Sequence, residues 1–275
     1  MAENSNIEWT HHTFNPWWGC EKVSPACKHC YAQTWAKRCG NGDLWEANSS
    51  RRFFTDRHWN DPVKWNNSAE TSGQRQRVFC ASMADVFEVR DDLEESRQRL
   101  WSLIEETPYL DWLLLTKRIE EVESIIPWEK SEWPDNVWLG TTVENQKYAD
   151  LRLPHLEKLG AKTKFLSCEP LLGNLSIEKF SSSIDWVIAG GESGPNARPM
   201  NPTSLRNLRD ECEKYNIPFH FKQWGNWFPI DSSSVLNYKS KKIQYIDDVE
   251  MVNIGKKKAG RILDGKEWNG LPSVA

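Results

Sequence analysis

The sequence has no apolar run that approaches the roughly 18–20 residues needed to cross a bilayer. Its opening residues, MAENSNIEW, also lack the basic and apolar segments of a secretory signal. Both absences predict a cytoplasmic protein with no membrane partner. Thiols stay reduced in that compartment, where clustered cysteines more often bind metal or react than form disulfides.

A disulfide framework and a strong basic charge are lacking as well. The 275 residues include seven cysteines, an odd number that would leave one unpaired, and a chain of this length buries a core without covalent staples. The net charge is −4, which excludes a molecule-wide attraction to nucleic acid. Basic residues do cluster in 51–90 and in the tail segments KSKK and GKKKAGR, where a solvated surface is the simplest interpretation.

Tryptophan, by contrast, is abundant, with 16 residues in the chain. Large aromatic side chains mostly fill protein cores, so core packing accounts for many of them. An indole left at the surface also offers a flat face on which an adenine or another base can stack. The tryptophan surplus is therefore compatible with both roles.

Short apolar runs recur along the chain, each followed by polar residues and a stretch of helical character. Apolar runs of this length are typical of strands buried on both faces. Helical periodicity is visible at 92–107, 118–126 and 203–216, where Thr203 or Ser204 would cap the helix. The predicted strands are FNPWWG (14–19), VFCAS (78–82), DWLLLT (111–116), NVWLGTTV (136–143), KFLSCEP (164–170), DWVIAGG (185–191) and PFHFKQW (218–224).

Strands that alternate with helices predict an α/β fold with a parallel sheet. About six or seven β/α units suit a partial barrel of the (β/α)6 type better than a short open sheet. Residues 40–77 have the composition of an N-terminal insertion. We predict a barrel over 1–228, with that insertion, and a short C-terminal appendage over 229–275 that packs on it.

Polar residues follow each predicted strand. Because parallel strands end at one edge of a sheet, these residues mark a candidate functional rim. An ordinary helix cap is the alternative for any one of them, above all for Asp85 and Asn145. The rim comprises the cysteine loop, Ser82 and Asp85, then Thr116, Lys117 and Arg118, then Thr141, Thr142, Glu144 and Asn145, then Ser167, Cys168 and Glu169, then Glu192 in GGESG, and finally Lys222 and Gln223.

The cysteine loop after the first strand, NPWWGCEKVSPACKHCYA, contains Cys20, Cys27 and Cys30 in the spacing C-x6-C-x2-C. Thiolates bind soft or borderline metals, above all zinc and iron–sulfur clusters. A structural zinc needs a fourth ligand, for which His11, His12, His29 and Cys39 are candidates. Three cysteines on a [4Fe–4S] cluster instead leave one iron open to a small ligand such as S-adenosylmethionine (SAM).

Several motifs in order from about residue 8 to 272 resemble one family. They are the cysteine loop, SMADVF, LLLTKR, VWLGTTVEN, FLSCEPLLG, WVIAGGESG, FKQWG and GRILDGKEWNGLP. The chain resembles the phage-associated three-cysteine-motif proteins, which are radical-SAM-like and largely uncharacterised. Two features depart from the commonest radical-SAM pattern: the first two cysteines are further apart than in C-x3-C-x2-C, and GGE follows the predicted sixth strand instead of the second.

The resemblance implies a radical-SAM-like partial barrel with a [4Fe–4S] cluster on Cys20, Cys27 and Cys30. An electron from the cluster would cleave SAM into methionine and a 5′-deoxyadenosyl radical, which takes hydrogen from the substrate. That activity needs a reductant protein or an equivalent electron donor. The substrate is unknown, with a nucleotide or nucleic-acid base as the candidate suggested by phage association, and a partner protein could complete the site.

Under this hypothesis most of the rim residues bind SAM, and residues at the ends of the fifth and seventh predicted strands act on the substrate. Ser82 and Asp85 are candidates for the amino group, and Lys117 or Arg118 for the carboxylate. The other candidate SAM contacts are Thr142 with Glu144 or Asn145 for the ribose, Gly190, Gly191 and Glu192 for the adenosine, and Tyr31 beside the adenine. The candidate catalytic residues are Cys168, Glu169 and Lys222.

Two other functions compete with this hypothesis. A structural zinc-binding interaction protein without catalysis would explain the cysteines but not the polar rim. An acid–base enzyme on a plain β/α barrel would use Asp85, Glu144, Glu169 and Lys222. Simple alternatives also exist for single residues: Tyr31 as the first turn of a helix, Gly190 and Gly191 as a tight turn, and Cys168 as an inert core residue.

Overall fold

The structure, a computed structural model, describes residues 3–40, 44–230 and 242–273. Its fold is mixed α/β, with seven strands in a sheet whose strand order follows the chain. Within the described residues the strands are β1 (His12–Phe14), β2 (Trp17–Trp18), β3 (Arg52–Phe53), β4 (Gln76–Cys80), β5 (Leu110–Thr116), β6 (Val137–Thr142), β7 (Thr163–Cys168), β8 (Trp186–Gly190), β9 (Phe219–Gln223), β10 (Trp227–Ile230), β11 (Ile243–Ile246) and β12 (Val249–Asn253). The helices are α1 (Tyr31–Arg38), α2 (Asp56–Trp59), α3 (Asp61–Ser72), α4 (Glu94–Glu106), α5 (Val122–Ile125), α6 (Gln146–Lys158), α7 (Pro202–Lys214) and α8 (Lys256–Ala259).

The chain divides into two compact units. The first, which we call unit one, comprises Met1–Ser24, Ala32–Thr141 and His155–Lys164. In it β1, β4, β5 and β6 pair in parallel, with Phe14 beside Cys80 and Leu114 beside Leu139. A separate antiparallel pair joins β2 to β3. β6 is buried along its whole length, as a strand covered on both faces should be.

Unit two comprises Pro25–Tyr31, Thr142–Pro154 and Phe165–Ala275. In it β7, β8 and β9 pair in parallel, and β10, β12 and β11 form an antiparallel sheet. α7 begins where Asn201 caps it, because the Asn201 side chain accepts the backbone N–H groups of Thr203 and Ser204, and Pro202 occupies the first turn.

The apolar runs predict the sheet well, and six of the seven strands lie within a few residues of their expected positions. The first is the exception. The sheet strand is His12–Phe14, and Trp17–Trp18 pairs outside the sheet with Arg52–Phe53. Pro16 explains the break, since a proline cannot donate to a ladder in the middle of a sheet. The predicted cap of α7 is also wrong by a few residues, because Asn201 performs that role.

The predicted insertion contains its own helices, of which α3 is the longest and ends at Gly73 in the left-handed conformation. Among all 16 tryptophans only Trp18, Trp35 and Trp268 are not buried, so the tryptophan surplus is chiefly core. No helix in the described ranges is long and apolar enough to cross a membrane.

Candidate functional site

In unit one the sulfur of Cys20 lies beside the guanidinium of Arg118, whose Nη1 donates to Sγ at 3.6 Å. Nη2 of the same arginine donates to the carbonyl of Glu21 at 2.9 Å. Arg118 follows β5 and is 98 positions from Cys20 in the chain. The first cysteine of the loop is thus held, at its side chain and at the next backbone carbonyl, by one cation.

Asp85, which follows β4, holds that arginine and the end of β5. Its carboxylate accepts the Thr116 hydroxyl at 2.8 Å, the Lys117 backbone N–H at 3.0 Å and Arg118 Nη1 at 3.3 Å. It also accepts the N–H of Phe87 at 3.1 Å. These donors saturate a carboxylate that is only 5% exposed. Asp85 therefore organises the rim of unit one more than it offers an open acceptor.

A second buried ion pair supports the backbone next to Cys20. Glu88 Oε1 accepts the Glu21 N–H at 3.1 Å, and Arg51 binds both Glu88 oxygens, at 2.6 Å from Nη2 and 3.1 Å from Nε. The Cys20 N–H donates to the Leu44 carbonyl at 3.2 Å. Gly19 has φ +115°, and a side chain there would meet Arg51 and Leu44 at 2.7 Å. The backbone around Cys20 is therefore fixed.

These neighbours act on the Cys20 thiol in opposite directions. Burial raises the pKa of Cys20 to about 12, with Asp85 and Glu88 adding to the rise and Arg118 opposing it. Burial alone likewise raises the pKa of the fully buried Cys80 well above its usual range. Arg118 is thus the group that favours a thiolate at position 20.

In unit two an arginine also binds the cysteine loop. Arg198 Nη2 donates to the Pro25 carbonyl at 2.9 Å, two residues before Cys27. Arg198 also binds the carboxylate of Glu192. Its backbone N–H and Nε donate to Oε2 at 2.8 and 2.9 Å, and Nη2 donates to Oε1 as well as to Pro25. The glutamate of the GGE motif is thus fully engaged by Arg198, and the pair connects the end of β8 to the loop of Cys27 and Cys30.

The ends of β7 and β9 bring two predicted catalytic residues together. Lys222 Nζ lies 2.7 Å from Glu169 Oε2, and the Ser167 hydroxyl donates to Glu169 Oε1 at 3.4 Å. Both charged side chains keep partial exposure, 21% for Lys222 and 14% for Glu169. Gly190 lies against the same carboxylate, because a Cβ there would be 3.3 Å from Oε2. This pair is accessible to a polar group from solvent.

Cys168 is placed differently from these two. It is fully buried, and alternation along β7 directs it to the face opposite Ser167. Burial raises its pKa well above the usual range, and the nearby thiol of Cys212 on α7 adds to the rise. The structure does not bring Cys168 together with Lys222, and its surroundings are those of a core cysteine.

At the end of β6 a buried carboxylate has one oxygen that no described residue contacts by a hydrogen bond. Glu144 Oε2 accepts Arg152 Nη1 at 2.8 Å, and the same nitrogen donates to the Thr142 carbonyl at 2.7 Å. Tyr148 covers the guanidinium, 4.5 Å from the ring centre. Glu144 Oε1 and Thr142 Oγ1 are buried and have no hydrogen-bond partner within the described residues. Such oxygens are costly unless a ligand or water satisfies them.

The remaining predicted residues have simpler surroundings. Asn145 accepts the Tyr148 N–H at the start of α6, so it serves as the helix cap considered above. Tyr31 is the first residue of α1 and is 55% exposed. Ser82 accepts Asn15 Nδ2 at 3.1 Å, and Lys117 is half-buried. A Cβ on Gly191 would lie 2.0 Å from the Trp224 carbonyl, so this glycine permits close backbone packing.

The donor chemistry of the loop suits a soft metal centre. Cys20, Cys27 and Cys30 are half-buried and are not in disulfides, whereas Cys80, Cys168 and Cys212 are buried in the core. Arg118 supplies the positive neighbour that a thiolate ligand needs. Over the described ranges, no group of three or more His, Cys, Asp or Glu side chains is arranged to hold a metal ion. The fit is therefore one of ligand type, and the ligand set remains a prediction.

The sequence did not reveal which charged side chains bind and position the predicted site residues. Arg51, Glu88, Arg152 and Arg198 all make buried or half-buried ion pairs with the rim or its supports. A lone arginine in a helix or loop gives no signal of its partner. Of the four, Glu88 directly follows the SMADVF motif.

Comparison with known proteins gives one result. A family model described as "Protein of unknown function (DUF5131)" matches residues 4–272. No curated protein and no solved structure matches the sequence.

Proposed function

This chain belongs to the DUF5131 family of proteins of unknown function, and we propose that it is a radical-SAM enzyme in a partial (β/α)6-type barrel. The observation that carries the proposal is the environment of the cysteine loop. Three half-buried thiols outside disulfides share one loop, and the first accepts a hydrogen bond from a buried arginine. This arrangement supports thiolate ligation by Cys20, Cys27 and Cys30.

When bound, a [4Fe–4S] cluster with an open iron supplies the electron that cleaves SAM reductively. Within each unit an arginine holds the backbone of the part of the cysteine loop that belongs to it. Arg118 and Glu88 fix the backbone at Glu21, and Arg198 fixes it at Pro25.

The rim offers distinct partners for the zwitterionic methionine end of SAM and for its ribose. Arg118 is committed to Cys20, Asp85 and Glu21, which leaves Lys117, a half-buried residue, as the better candidate for the carboxylate. The buried Oε1 of Glu144 has no partner among the described residues. A ribose hydroxyl or an ammonium group would satisfy it.

The Glu169–Lys222 pair is the candidate group for the substrate. Its two charges neutralise each other at 2.7 Å while both remain partly exposed. A polar substrate can displace this contact, with Lys222 binding an anionic group and Glu169 accepting a proton. The substrate class stays open, and a nucleotide or nucleic-acid base is the candidate we carry forward.

Anaerobic purification and iron–sulfur reconstitution test the proposal directly. We expect about four irons per chain and an EPR spectrum of the reduced protein that changes when SAM is added. Alanine substitutions of Cys20, Cys27 and Cys30, made singly, should each abolish the signal. Cys39→Ala is the matched control, because Cys39 follows the same loop and is exposed.

One result would replace the proposal with its main competitor. Stoichiometric zinc, no iron and no response to SAM would indicate a zinc-binding interaction protein without catalysis. Loss of the metal in Cys39→Ala with retention in Cys27→Ala would show that the ligand set is wrong.

A further inference from the structure

We propose that Arg118 is a positioning residue that sets the reduction potential of the cluster through its hydrogen bond to the Cys20 sulfur. The inference rests on the proposed function, since it requires a cluster on that sulfur. It assigns Arg118 a role other than binding the carboxylate of SAM.

Both terminal nitrogens of the Arg118 guanidinium donate hydrogen bonds to neighbouring groups. Nη1 donates to Cys20 Sγ at 3.6 Å and to Asp85 Oδ2 at 3.3 Å, and Nη2 donates to the Glu21 carbonyl at 2.9 Å. The side chains of Arg118 and Asp85 are 9% and 7% exposed. The cation is therefore shielded from solvent and directed at a sulfur, not at an incoming anion.

The orientation is enforced by the backbone as well as by the ion pair. The Arg118 N–H donates to the Thr116 hydroxyl at 2.8 Å, and that hydroxyl donates to Asp85 at 2.8 Å. Asp85 thus fixes both ends of the turn that carries the arginine. A guanidinium that stays charged at any accessible pH is held at one place beside the ligand.

The sign of the expected change in reduction potential follows from charge. A reduced cluster carries one more negative charge than an oxidised cluster, so a nearby cation and a donor to the ligand sulfur stabilise the reduced form. Asp85, whose carboxylate accepts from the same Nη1, opposes this effect with its negative charge. Removing the arginine should lower the reduction potential, and neutralising the aspartate should raise it.

The test compares reconstituted wild type with Arg118→Gln, Arg118→Lys and Asp85→Asn by redox titration followed by EPR, with iron counted in each sample. In Arg118→Gln we expect full iron content and a roughly tenfold shift of the one-electron equilibrium toward the oxidised form, which corresponds to about 59 mV. Arg118→Lys keeps the positive charge, so its reduction potential should differ less from that of wild type. Asp85→Asn should shift the equilibrium in the opposite direction. Arg99→Gln, which removes an exposed arginine paired with Asp56, should leave the potential unchanged.

The outcomes separate this inference from the proposed function. A loaded Arg118→Gln protein with the wild-type potential would overturn the inference and leave the proposed function intact. Wild type that binds no iron would overturn both. If Arg118→Gln does not fold, Asp85→Asn decides: a raised potential supports the inference, and an unchanged or lowered one overturns it.

Discussion

Replacing Arg51 with methionine should destabilise the protein strongly. Arg51 and Glu88 form a two-point ion pair at 2.6 and 3.1 Å, with side chains 0% and 3% exposed. Arg51 Nη1 also donates to the carbonyls of Leu44 and Ser49. Removing one partner of a buried pair leaves an uncompensated charge, which typically costs about 3–5 kcal/mol. We expect Arg51→Met to lower the free energy of unfolding by that amount.

The double variant Arg51→Met/Glu88→Met separates the cost of the isolated charge from the value of the pair. Because both charges are then absent, we expect it to be more stable than Arg51→Met alone. Arg90→Met is the matched control. It breaks the pair with Asp92, of which the aspartate is 44% exposed, and pairs at the surface contribute about 0–1 kcal/mol.

Equilibrium urea unfolding, followed by tryptophan fluorescence, measures all three variants against wild type. The reasoning would be refuted if Arg51→Met cost less than about 1 kcal/mol, as a surface pair does. It would also fail if the double variant were less stable than the single one. Since Glu88 accepts the Glu21 N–H beside Cys20, Arg51→Met should bind less iron on reconstitution as well.

Two further predictions concern the loop and pH. Arg198→Gln removes the donor to the Pro25 carbonyl. Under the proposed function, a chelator should then withdraw iron several-fold faster than from wild type; equal rates would exclude a role for this contact. Burial lowers the pKa of His58 below 6.5, although its ring nitrogen bonds the Asn15 carbonyl. The unfolded chain then binds more protons as pH falls below 6.5, so stability should decrease there by at most about 1.4 kcal/mol per pH unit. Melting temperatures at several pH values should show a shallower dependence in His58→Phe, and an unchanged one would contradict the assignment.

The apolar pattern of the chain was enough to predict the parallel sheet and the polar residues at its strand ends. WVIAG, residues 186–190, is buried at every position as expected, because a strand covered on both faces needs continuous apolar residues. Local patterns of this kind are written in neighbouring residues, and a linear sequence displays them directly.

The exact position of the first strand was not predictable in this way. Phe14, Trp17 and Trp18 are alike in their apolar character, and only Asn15 and Pro16 interrupt them. The proline marks a break, but only the pairing partners show which sheet each side joins, since Phe14 lies beside Cys80 and Trp18 beside Arg52. The choice depends on which distant segment each short strand meets.

The engagement of the charged residues also depended on tertiary structure. The sequence by itself determined that Asp85, Arg118 and Glu192 follow strands. The fold decided that Arg118 binds Cys20, 98 positions away, and that Arg198 forms an ion pair with Glu192. No sequence pattern indicates which residue a charged side chain will pair with. The free energy of an ion pair depends on the distance between the charges and on their burial, and both are set only when the chain folds.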